Sequence, residues 1–383
     1  MDNFASALSA IGVSVEVFSA YSGHGRPAWP VKTVITHEKL HRHAVLRGLP
    51  RRYSILNILR AFSLFVFKRL DRIRIRILTV RALNHESENA VIVFTDVVAK
   101  RALDDLGVSS RIHGIQIGQH HSSFQNLEID APVRAAVEHA FQSIGAFTAL
   151  SQEDARKFAS LLVVPCFAVP NMLSPQISTD ITDPSTDNTT MVALGRLSSE
   201  KQFEMLILAF LRATDRDDLR DWTLDIYGDG DQRSYLQALI EDRHVQDRVR
   251  LRGVTDDVAR VFSGASLHVV SSRYEGFGLS VLEAAQHGVA TVAFDCSPGL
   301  HDLMVSVHGV LVQPTEGVDG LAAGIQCLIE DPASLRERGL RAREGTSVYE
   351  PERILRQWAP VVEAAARSKS GSTPRTDQVF EGR

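Results

Sequence analysis

The sequence predicts an α/β protein with two doubly wound, mostly parallel sheets. Three observations lead to this class. Apolar segments of strand length alternate with segments of helical periodicity through both halves of the chain. A polar, proline-containing stretch at residues 174–190 separates the two halves, and 383 residues suit two or three domains. Alternation of this kind is typical of parallel sheets that are covered by helices.

Twelve strands are predicted, six in each half. Each is a short run enriched in Val, Ile, Leu, Ala or Phe and bounded by polar or glycine-containing segments. The predicted strands cover residues 13–19, 31–36, 90–95, 112–117, 147–150, 167–169, 191–194, 223–227, 249–251, 267–270, 290–294 and 310–312.

Composition restricts the class of protein. Apolar residues make up 44% and charged residues 23% of the chain, which is typical of a soluble globular protein. A net charge of −4 gives no general attraction to nucleic acid. Cys166, Cys296 and Cys327 are too few and too scattered for a disulfide framework or a cysteine-based zinc site. No stretch reaches the length of a membrane span and no signal peptide is recognisable, so a reducing cytoplasm is predicted.

Two glutamates carry the strongest functional signal. Glu275 lies in a glycine-containing loop after a predicted strand, and Glu283 lies in the second turn of a helix that is predicted to start near Gly278. The free N–H groups and the positive dipole end of a helix start suit a phosphate. Carboxylates accept paired hydrogen bonds from neighbouring hydroxyls of sugars and riboses. The ligand predicted from this pattern is a sugar attached to a nucleotide diphosphate.

The cations that a diphosphate needs are found upstream. Arg196 follows the predicted strand 191–194, and Lys201 comes five residues later. The arginine offers a planar fork and the lysine a point charge, which are two common ways of holding phosphate oxygens. Alone, either residue would be a solvated surface charge. In doubly wound sheets ligands bind beyond the carboxyl ends of the strands, and these residues and Glu275 all follow strands.

Five motifs in this order resemble the retaining nucleotide-sugar glycosyltransferases of family 4. They are Gly-Arg-Leu-x-x-Glu-Lys-Gln, Tyr-Gly-Asp-Gly, Val-Arg-Leu-Arg-Gly, Glu-x7-Glu and Asp-Cys-Ser-Pro-Gly. The last motif resembles the subgroup that glycosylates polymers and lipid-linked glycans. The resemblance is strong over residues 191–312 and weaker over 1–190. It implies the GT-B fold, in which two Rossmann-like domains face each other across a cleft, with the donor mainly on the second and the acceptor on the first.

The resemblance also assigns roles to residues. It implies that Arg196 and Lys201 stabilise the leaving diphosphate, that Glu275 holds the donor sugar and that Glu283 holds the ribose. A histidine beside the donor sugar is expected after strand 112–117, where His121 fits best and His120 next. The implied catalytic residues are Arg196, Lys201, Glu275 and His121. The implied donor-binding residues are Glu283, Gly276, Phe277, Gly278, Leu279, Gly195, Arg252, Val254 and His120, and no metal or cofactor is expected.

The predicted domain organisation follows the same resemblance. A helix near the C-terminus is expected to cross back and brace the first domain. The predicted segments are a first domain 1–172, a linker 173–190, a nucleotide-sugar domain 191–348, the bracing helix 349–367 and a disordered tail 368–383.

The predicted function is transfer of a hexosyl group from a nucleotide diphosphate sugar to a glycan or lipid-linked acceptor, with retention of configuration. Uridine as the base is an expectation from the family alone. Two carboxylates also occur in glycosidases, but the accompanying helix start and Lys/Arg pair serve phosphate rather than attack by water. A phosphorylase would need a pyridoxal lysine, and no motif marks one.

The start of the chain leaves a second function open. Residues 1–8 read as the helix that normally follows the first strand and glycine turn of the family, so the first domain is expected to lack its opening strand. The alternative is therefore a catalytically inactive donor-binding or scaffold protein of the same fold.

Residues 42–81 form a basic and apolar segment. It contains eleven Lys/Arg residues and one acid, Asp71, around many Ile, Leu and Phe residues. Such a segment is typical of an element that lies on an anionic membrane surface, here the inner face of the cell membrane. A basic face over a buried core and a grip on an anionic acceptor are the two alternatives. Nucleic acid is not expected, because no aromatic interleaving or known module is seen.

Overall fold

The computed structural model describes two main parts of the chain and two short strands before them. The described residues are 17–19, 34–36, 90–95, 97–105, 107, 109–112, 114–173 and 188–369. Several predicted features lie outside them, namely the opening helix at 1–8, the basic segment 42–81, linker residues 174–187 and the tail from residue 370.

The described residues form parallel sheets in both halves, which confirms the predicted α/β class. The strands are β1 (Val17–Ser19), β2 (Val34–Thr36), β3 (Val91–Phe94), β4 (Ile115–Gln119), β5 (Ala146–Ala149), β6 (Cys166–Ala168), β7 (Thr190–Leu194), β8 (Thr223–Tyr227), β9 (Val249–Gly253), β10 (Leu267–Val270), β11 (Ala290–Phe294) and β12 (Val310–Val312). One sheet has the order β3-β4-β5-β6, and the other has the order β12-β11-β10-β7-β8-β9. Strands β1 and β2 pair with each other, also in parallel.

Helices connect successive strands on both sheets. The α-helices are α1 (Val97–Asp105), α2 (Gln125–Ile129), α3 (Ala131–Phe141), α4 (Gln152–Leu161), α5 (Phe203–Ala213), α6 (Arg233–Asp242), α7 (Val258–Ser263), α8 (Leu279–Gln286), α9 (Pro298–Ser306), α10 (Gly317–Ile329), α11 (Pro332–Gly345) and α12 (Pro351–Lys369). Short 3₁₀ turns lie at Ser109–Arg111, Ser199–Lys201, Asp217–Leu219, Pro314–Glu316 and Thr346–Tyr349.

The central strands of the larger sheet are the most apolar. All residues of β10 and β11 are buried, because helices cover both faces of a parallel sheet. Polar residues then mark where the helices begin. The side chains of Ser151, Asp257 and Ser297 each accept a backbone N–H bond at the start of α4, α7 and α9. Since those helix starts follow β5, β9 and β11, they lie at the carboxyl edges of the sheets.

The last helix joins the two halves of the molecule. Helix α12 packs on β4 and β5 of the smaller sheet. Contact is close because Gly145 has no side chain, and a Cβ added there would lie 2.7 Å from the Cα of Ala365. Trp358 and Val361 are buried in a core that includes residues of both sheets.

The bracing helix is predicted to end at residue 367, two residues before the end of α12. The helix continues to Lys369, with Arg367 and Lys369 as basic residues in its last turn. Positive charge there interacts favourably with the negative end of the helix dipole. Within the part of the chain that the structure describes, no helix is both long enough and apolar enough to cross a bilayer.

Candidate functional site

The loops that follow β7 and β10 lie side by side at the carboxyl edge of the larger sheet. The hydroxyl of Ser271 donates to the carbonyl oxygen of Lys201 at 2.7 Å, and the backbone N–H of Arg273 donates to the carbonyl of Glu200 at 2.8 Å. These bonds join segments that are about seventy residues apart in sequence. The predicted convergence of the two loops at one sheet edge is therefore present in the structure.

The centre of this edge is an ion pair between Lys201 and Glu275. The Nζ atom of Lys201 lies 2.6 Å from Oε1 of Glu275, and the side chains are 22% and 15% exposed. The hydroxyl of Ser272 donates to the same carboxylate oxygen at 2.8 Å. Partial burial makes such a pair stronger than one in full solvent contact. Glu275 is thus held in place from two sides, and Lys201 is held at the mouth of the crevice.

Gly195 and Arg196 follow β7 beside this ion pair. A Cβ added at Gly195 would lie 3.4 Å from Cε of Lys201, so the glycine borders the lysine stem directly. Arg196 is exposed, and no carboxylate among the described residues forms an ion pair with it. An exposed guanidinium at the end of β7 can therefore turn toward an anionic ligand without breaking an ion pair to a described residue.

Helix α8 starts beside the ion pair. Gly278 is its N-cap residue and has a φ of 90°, a conformation that glycine adopts without strain. The ring of Phe277 is buried and packs edge-on against Tyr349, with centroids 5.4 Å apart. The side chain of Leu279 is exposed. Since no side chain caps this helix start, its first N–H groups can receive an anion.

Glu283 lies in the second turn of α8 and is half-buried. Burial raises the pKa of its carboxyl group to about 7. A carboxyl group with this pKa is partly protonated at neutral pH, whereas an exposed glutamate would be fully ionised. Perturbed carboxyl groups of this kind are common in binding clefts.

Arg252 and Val254 lie apart from the ion pair. They are at the end of β9, the edge strand, with β8 between them and β7. The Nε atom of Arg252 lies 2.9 Å from Oδ2 of buried Asp225, and Arg250 pairs with the other oxygen at 2.7 Å. Val254 is 78% exposed. The structure therefore gives Arg252 a partner that the sequence did not predict, while the donor-binding role of Arg252 and Val254 stays a prediction.

The smaller sheet contributes the loop after β4. Here a Cβ added at Gly276 would lie only 1.9 Å from the carbonyl oxygen of His121. On its other side, a Cβ added at Gly299 would lie 2.3 Å from the carbonyl oxygen of Gly276. Gly276 is therefore enclosed between His121 of the first sheet and the start of α9. This contact brings His121 to the same crevice as Glu275.

The two histidines differ in their surroundings. The buried Nε2 atom of His121 has no hydrogen-bond partner among the described residues. Burial, with a contribution from neighbouring His120, lowers the pKa of His121 to about 4, so its imidazole is neutral near pH 7. The ring of His120 packs edge-on against Phe158, with centroids 5.3 Å apart, in the core of the smaller sheet. It is the backbone carbonyl of His121 that lies against Gly276.

Three residues outside the predicted catalytic and donor-binding sets take part in the hydrogen bonds of this site. Ser271 bonds to the loop after β7, Ser272 bonds to Glu275, and the carboxylate of Asp154 accepts hydrogen bonds from Ser123 and Phe124, about thirty residues away in the chain. A serine next to a strand end is too common a feature to indicate these bonds. Only the folded arrangement of three strand ends reveals them.

The resulting crevice combines two kinds of group. Arg196, Lys201 and the start of α8 attract negative charge. Glu275 and Glu283 can accept hydrogen bonds from hydroxyl groups. An anionic ligand with a hydroxyl-bearing group at each end matches this arrangement.

Comparisons with known proteins agree with this chemistry. Residues 188–331 match the family described as glycosyl transferases group 1. An exopolysaccharide phosphotransferase of Streptomyces coelicolor is 35% identical over 170 residues, which are 44% of this chain and 18% of that protein. A poly(glycerol-phosphate) alpha-glucosyltransferase of Bacillus subtilis is 25% identical over 193 residues, or 50% of this chain and 28% of that protein. The chain thus spans less than a third of the length of these two relatives.

Solved structures share the two-sheet architecture. Sucrose-phosphate synthase from Thermosynechococcus elongatus superimposes with a TM-score of 0.70 at 19% identity, covering 95% of this chain and 92% of that chain. The Anabaena protein HepE, solved with UDP-glucose, gives a TM-score of 0.62 at 22% identity, covering 76% of this chain and 82% of that chain. The fold is GT-B, as predicted, and residues 188–331 of this chain match the model of the glycosyl transferases group 1 family.

Proposed function

We propose that this protein transfers a hexosyl group from a nucleotide diphosphate sugar, with UDP as the nucleotide, to a glycan or lipid-linked acceptor. The observation that carries the proposal is the Lys201–Glu275 pair at the start of α8. It brings an ammonium group, which can bind phosphate oxygens, within 2.6 Å of a carboxylate, which can accept hydrogen bonds from sugar hydroxyls. The match of residues 188–331 to the group 1 family and the likeness to HepE with UDP-glucose support the proposal.

Lys201 has the hydrogen-bonding capacity for this role. An ammonium group has three N–H donors, and Glu275 accepts one of them. The remaining donors can bind oxygens of the diphosphate as the bond to the sugar breaks. Arg196 adds a second positive charge, and the first N–H groups of α8 add the helix dipole. This is electrostatic stabilisation of the leaving group by fixed protein charges, and we propose that it needs no metal ion.

The two carboxylates would bind opposite ends of the donor. Glu283 accepts hydrogen bonds from ribose hydroxyls, and Glu275 accepts them from hydroxyls of the sugar. The neutral imidazole of His121 borders the sugar and can exchange hydrogen bonds with it. Retention of configuration belongs to the proposal through the family resemblance. The names of the two relatives, an exopolysaccharide phosphotransferase and a poly(glycerol-phosphate) alpha-glucosyltransferase, favour a cell-envelope polymer as the acceptor.

Calorimetric binding of UDP, GDP and ADP tests the donor site. We expect UDP to bind most tightly, and Glu283→Ala to weaken UDP binding by about 10- to 100-fold because hydrogen bonds to a charged group are lost. Glu344→Ala is the matched control, since Glu344 is an exposed carboxylate in α11. Absence of binding by any of the three nucleotides to the folded protein would refute the proposal. Binding without transfer to any acceptor would favour the donor-binding alternative.

The affinity for UDP-glucose is expected to rise with pH because Glu283 must lose its proton to accept two ribose hydrogen bonds. In the protein without ligand, the carboxyl group of Glu283 has a pKa of about 7. UDP-glucose has no group that titrates near neutrality. If binding returns the pKa to its ordinary value, affinity should increase about tenfold between about pH 6 and about pH 8. Glu283→Gln keeps the shape of the side chain but has no group that titrates, so its affinity for UDP-glucose should not change with pH. An equal pH dependence in both proteins would contradict this role of Glu283.

A further inference from the structure

Asp154 is a buried carboxylate with no role in the proposal so far. It lies in the first turn of α4 and is 1% exposed. No basic side chain among the described residues forms an ion pair with it. A buried carboxylate is costly unless its oxygens receive hydrogen bonds. Its partners therefore show what the residue is for.

Those partners are mostly distant in sequence. Oδ1 accepts hydrogen bonds from the hydroxyl of Ser123 at 3.1 Å and from the backbone N–H of Phe124 at 2.8 Å. Oδ2 accepts a bond from the hydroxyl of Ser151 at 2.9 Å. Ser151 already caps α4 by accepting the N–H of Asp154 at 3.1 Å. The helix is capped by Ser151, so the two bonds to Oδ1 serve the loop after β4 instead.

That loop leads directly to the contact between the sheets. Ser123 and Phe124 are buried, and the ring of Phe124 packs edge-on against Phe158 at 5.0 Å. Two residues before Ser123, the carbonyl group of His121 lies against Gly276. With its end fixed by Asp154, the loop has little freedom to withdraw His121 from the crevice.

We infer that Asp154 is a positioning residue for the candidate site, holding the loop of residues 121–124 so that His121 lies against Gly276 beside the donor sugar. The inference rests on the proposed function for the identity of the ligand beside His121. The hydrogen bonds of Asp154 are observed in the structure and do not depend on that function. A purely structural carboxylate would support the stability of α4 without affecting what His121 does. The two roles give different results in a double-mutant cycle.

The experiment compares Asp154→Ala, His121→Ala and the double variant in the full chain, with UDP release from UDP-glucose as the rate. We expect Asp154→Ala to lower kcat about tenfold or more in the parent but only about twofold in the His121→Ala background. The Kd for UDP should stay within about twofold, because the proposed nucleotide site lies on the other sheet. Equal losses in both backgrounds would overturn the inference.

Two conservative variants keep the test valid if Asp154→Ala is unstable. Asp154→Asn retains an acceptor oxygen for Ser123 and Phe124 and should recover most of the lost rate. Ser123→Ala removes only one of the two bonds to Oδ1 and should give a smaller loss in the same direction. Glu153→Ala is the matched control, since Glu153 is a neighbouring carboxylate on α4 that pairs with Lys157 instead of the loop. An Asp154→Asn protein as impaired as Asp154→Ala would also overturn the inference.

A second readout does not depend on activity. NMR titration of the His121 ring should give a pKa of about 4 in the parent and in Asp154→Asn. In Asp154→Ala the loosened loop admits water, and the pKa should rise toward its ordinary value, with His120 as the neighbouring titratable group. If the parent releases no UDP, the proposed function fails, yet this titration still decides the positioning role. A His121 pKa that is unchanged in Asp154→Ala would refute it.

Discussion

Lys201→Ala is expected to lower the rate of UDP release from UDP-glucose by about 100- to 1,000-fold, the usual cost of losing one fixed charge that stabilises a leaving group. The effect is large because Lys201 lies 2.6 Å from Glu275, and its removal leaves that half-buried carboxylate without its cation. Loss of a positive charge would also weaken binding of the diphosphate. Steady-state kinetics together with calorimetry separate the fall in kcat from the loss of affinity.

Two further lysine variants serve as controls for this substitution. Lys157→Ala removes a lysine that pairs with Glu153 on the surface of α4, and its rate should match that of the parent. Lys201→Arg keeps the charge but replaces a compact ammonium by a wider fork, so partial activity is expected. If Lys201→Ala kept its kcat within about threefold, the lysine would not contribute to bond breaking and the proposed mechanism would fail.

Gly276→Ala is expected to abolish most activity for a different reason. The added Cβ would lie 1.9 Å from the carbonyl oxygen of His121, far inside van der Waals contact. The nearest atoms all belong to the backbone, so no side chain can turn away to make room. The loops must then move apart, at a cost of about 1–3 kcal/mol in stability. Because Glu275 precedes this position directly, its carboxylate would shift by a distance that catalysis tolerates poorly, and a rate loss of about 100-fold is expected.

Gly264→Ala provides the comparison for this prediction. A Cβ added at Gly264 would meet its nearest atoms at 3.7 Å and 3.8 Å, which is ordinary contact. Thermal unfolding and UDP release of this variant should match those of the parent, whereas Gly276→Ala should be changed in both. Parent-like rates in Gly276→Ala would show that the approach of the two sheets at this point is not needed for activity.

The sequence predicted the strands of the larger sheet well. The bounds of β8, β10, β11 and β12 are those expected from the apolar runs. Strands β10 and β11 are buried throughout and β8 at its three central residues, so their apolar runs stand out in the sequence. Strand β4 was placed at 112–117 but lies at Ile115–Gln119, because pairing with β3 and β5 fixes its register while its polar glutamines hide it in the pattern. Residue 112 instead follows a 3₁₀ turn.

The site was predictable in its location but not in its bonds. Arg196, Lys201 and Glu275 follow strands, so their approach at one sheet edge follows from the topology. The bond between Lys201 and Glu275 joins residues 74 apart, and rotamers and loop paths decide it. For the same reason the pairing of Arg252 with Asp225 on a neighbouring strand was missed. Local patterns predict which strand end a side chain occupies, whereas its partner depends on the packed loops.

The packing of α12 on β4 and β5 has a consequence for biosynthesis. The smaller sheet precedes the larger one in the chain, yet residues 351–369 complete its core. Since folding during translation proceeds from the N-terminus, this sheet is made first and finished last. Until α12 has been synthesised, the side of β4 and β5 beside Gly145 lacks the helix that covers it. The half that is synthesised first is therefore the half that is completed last.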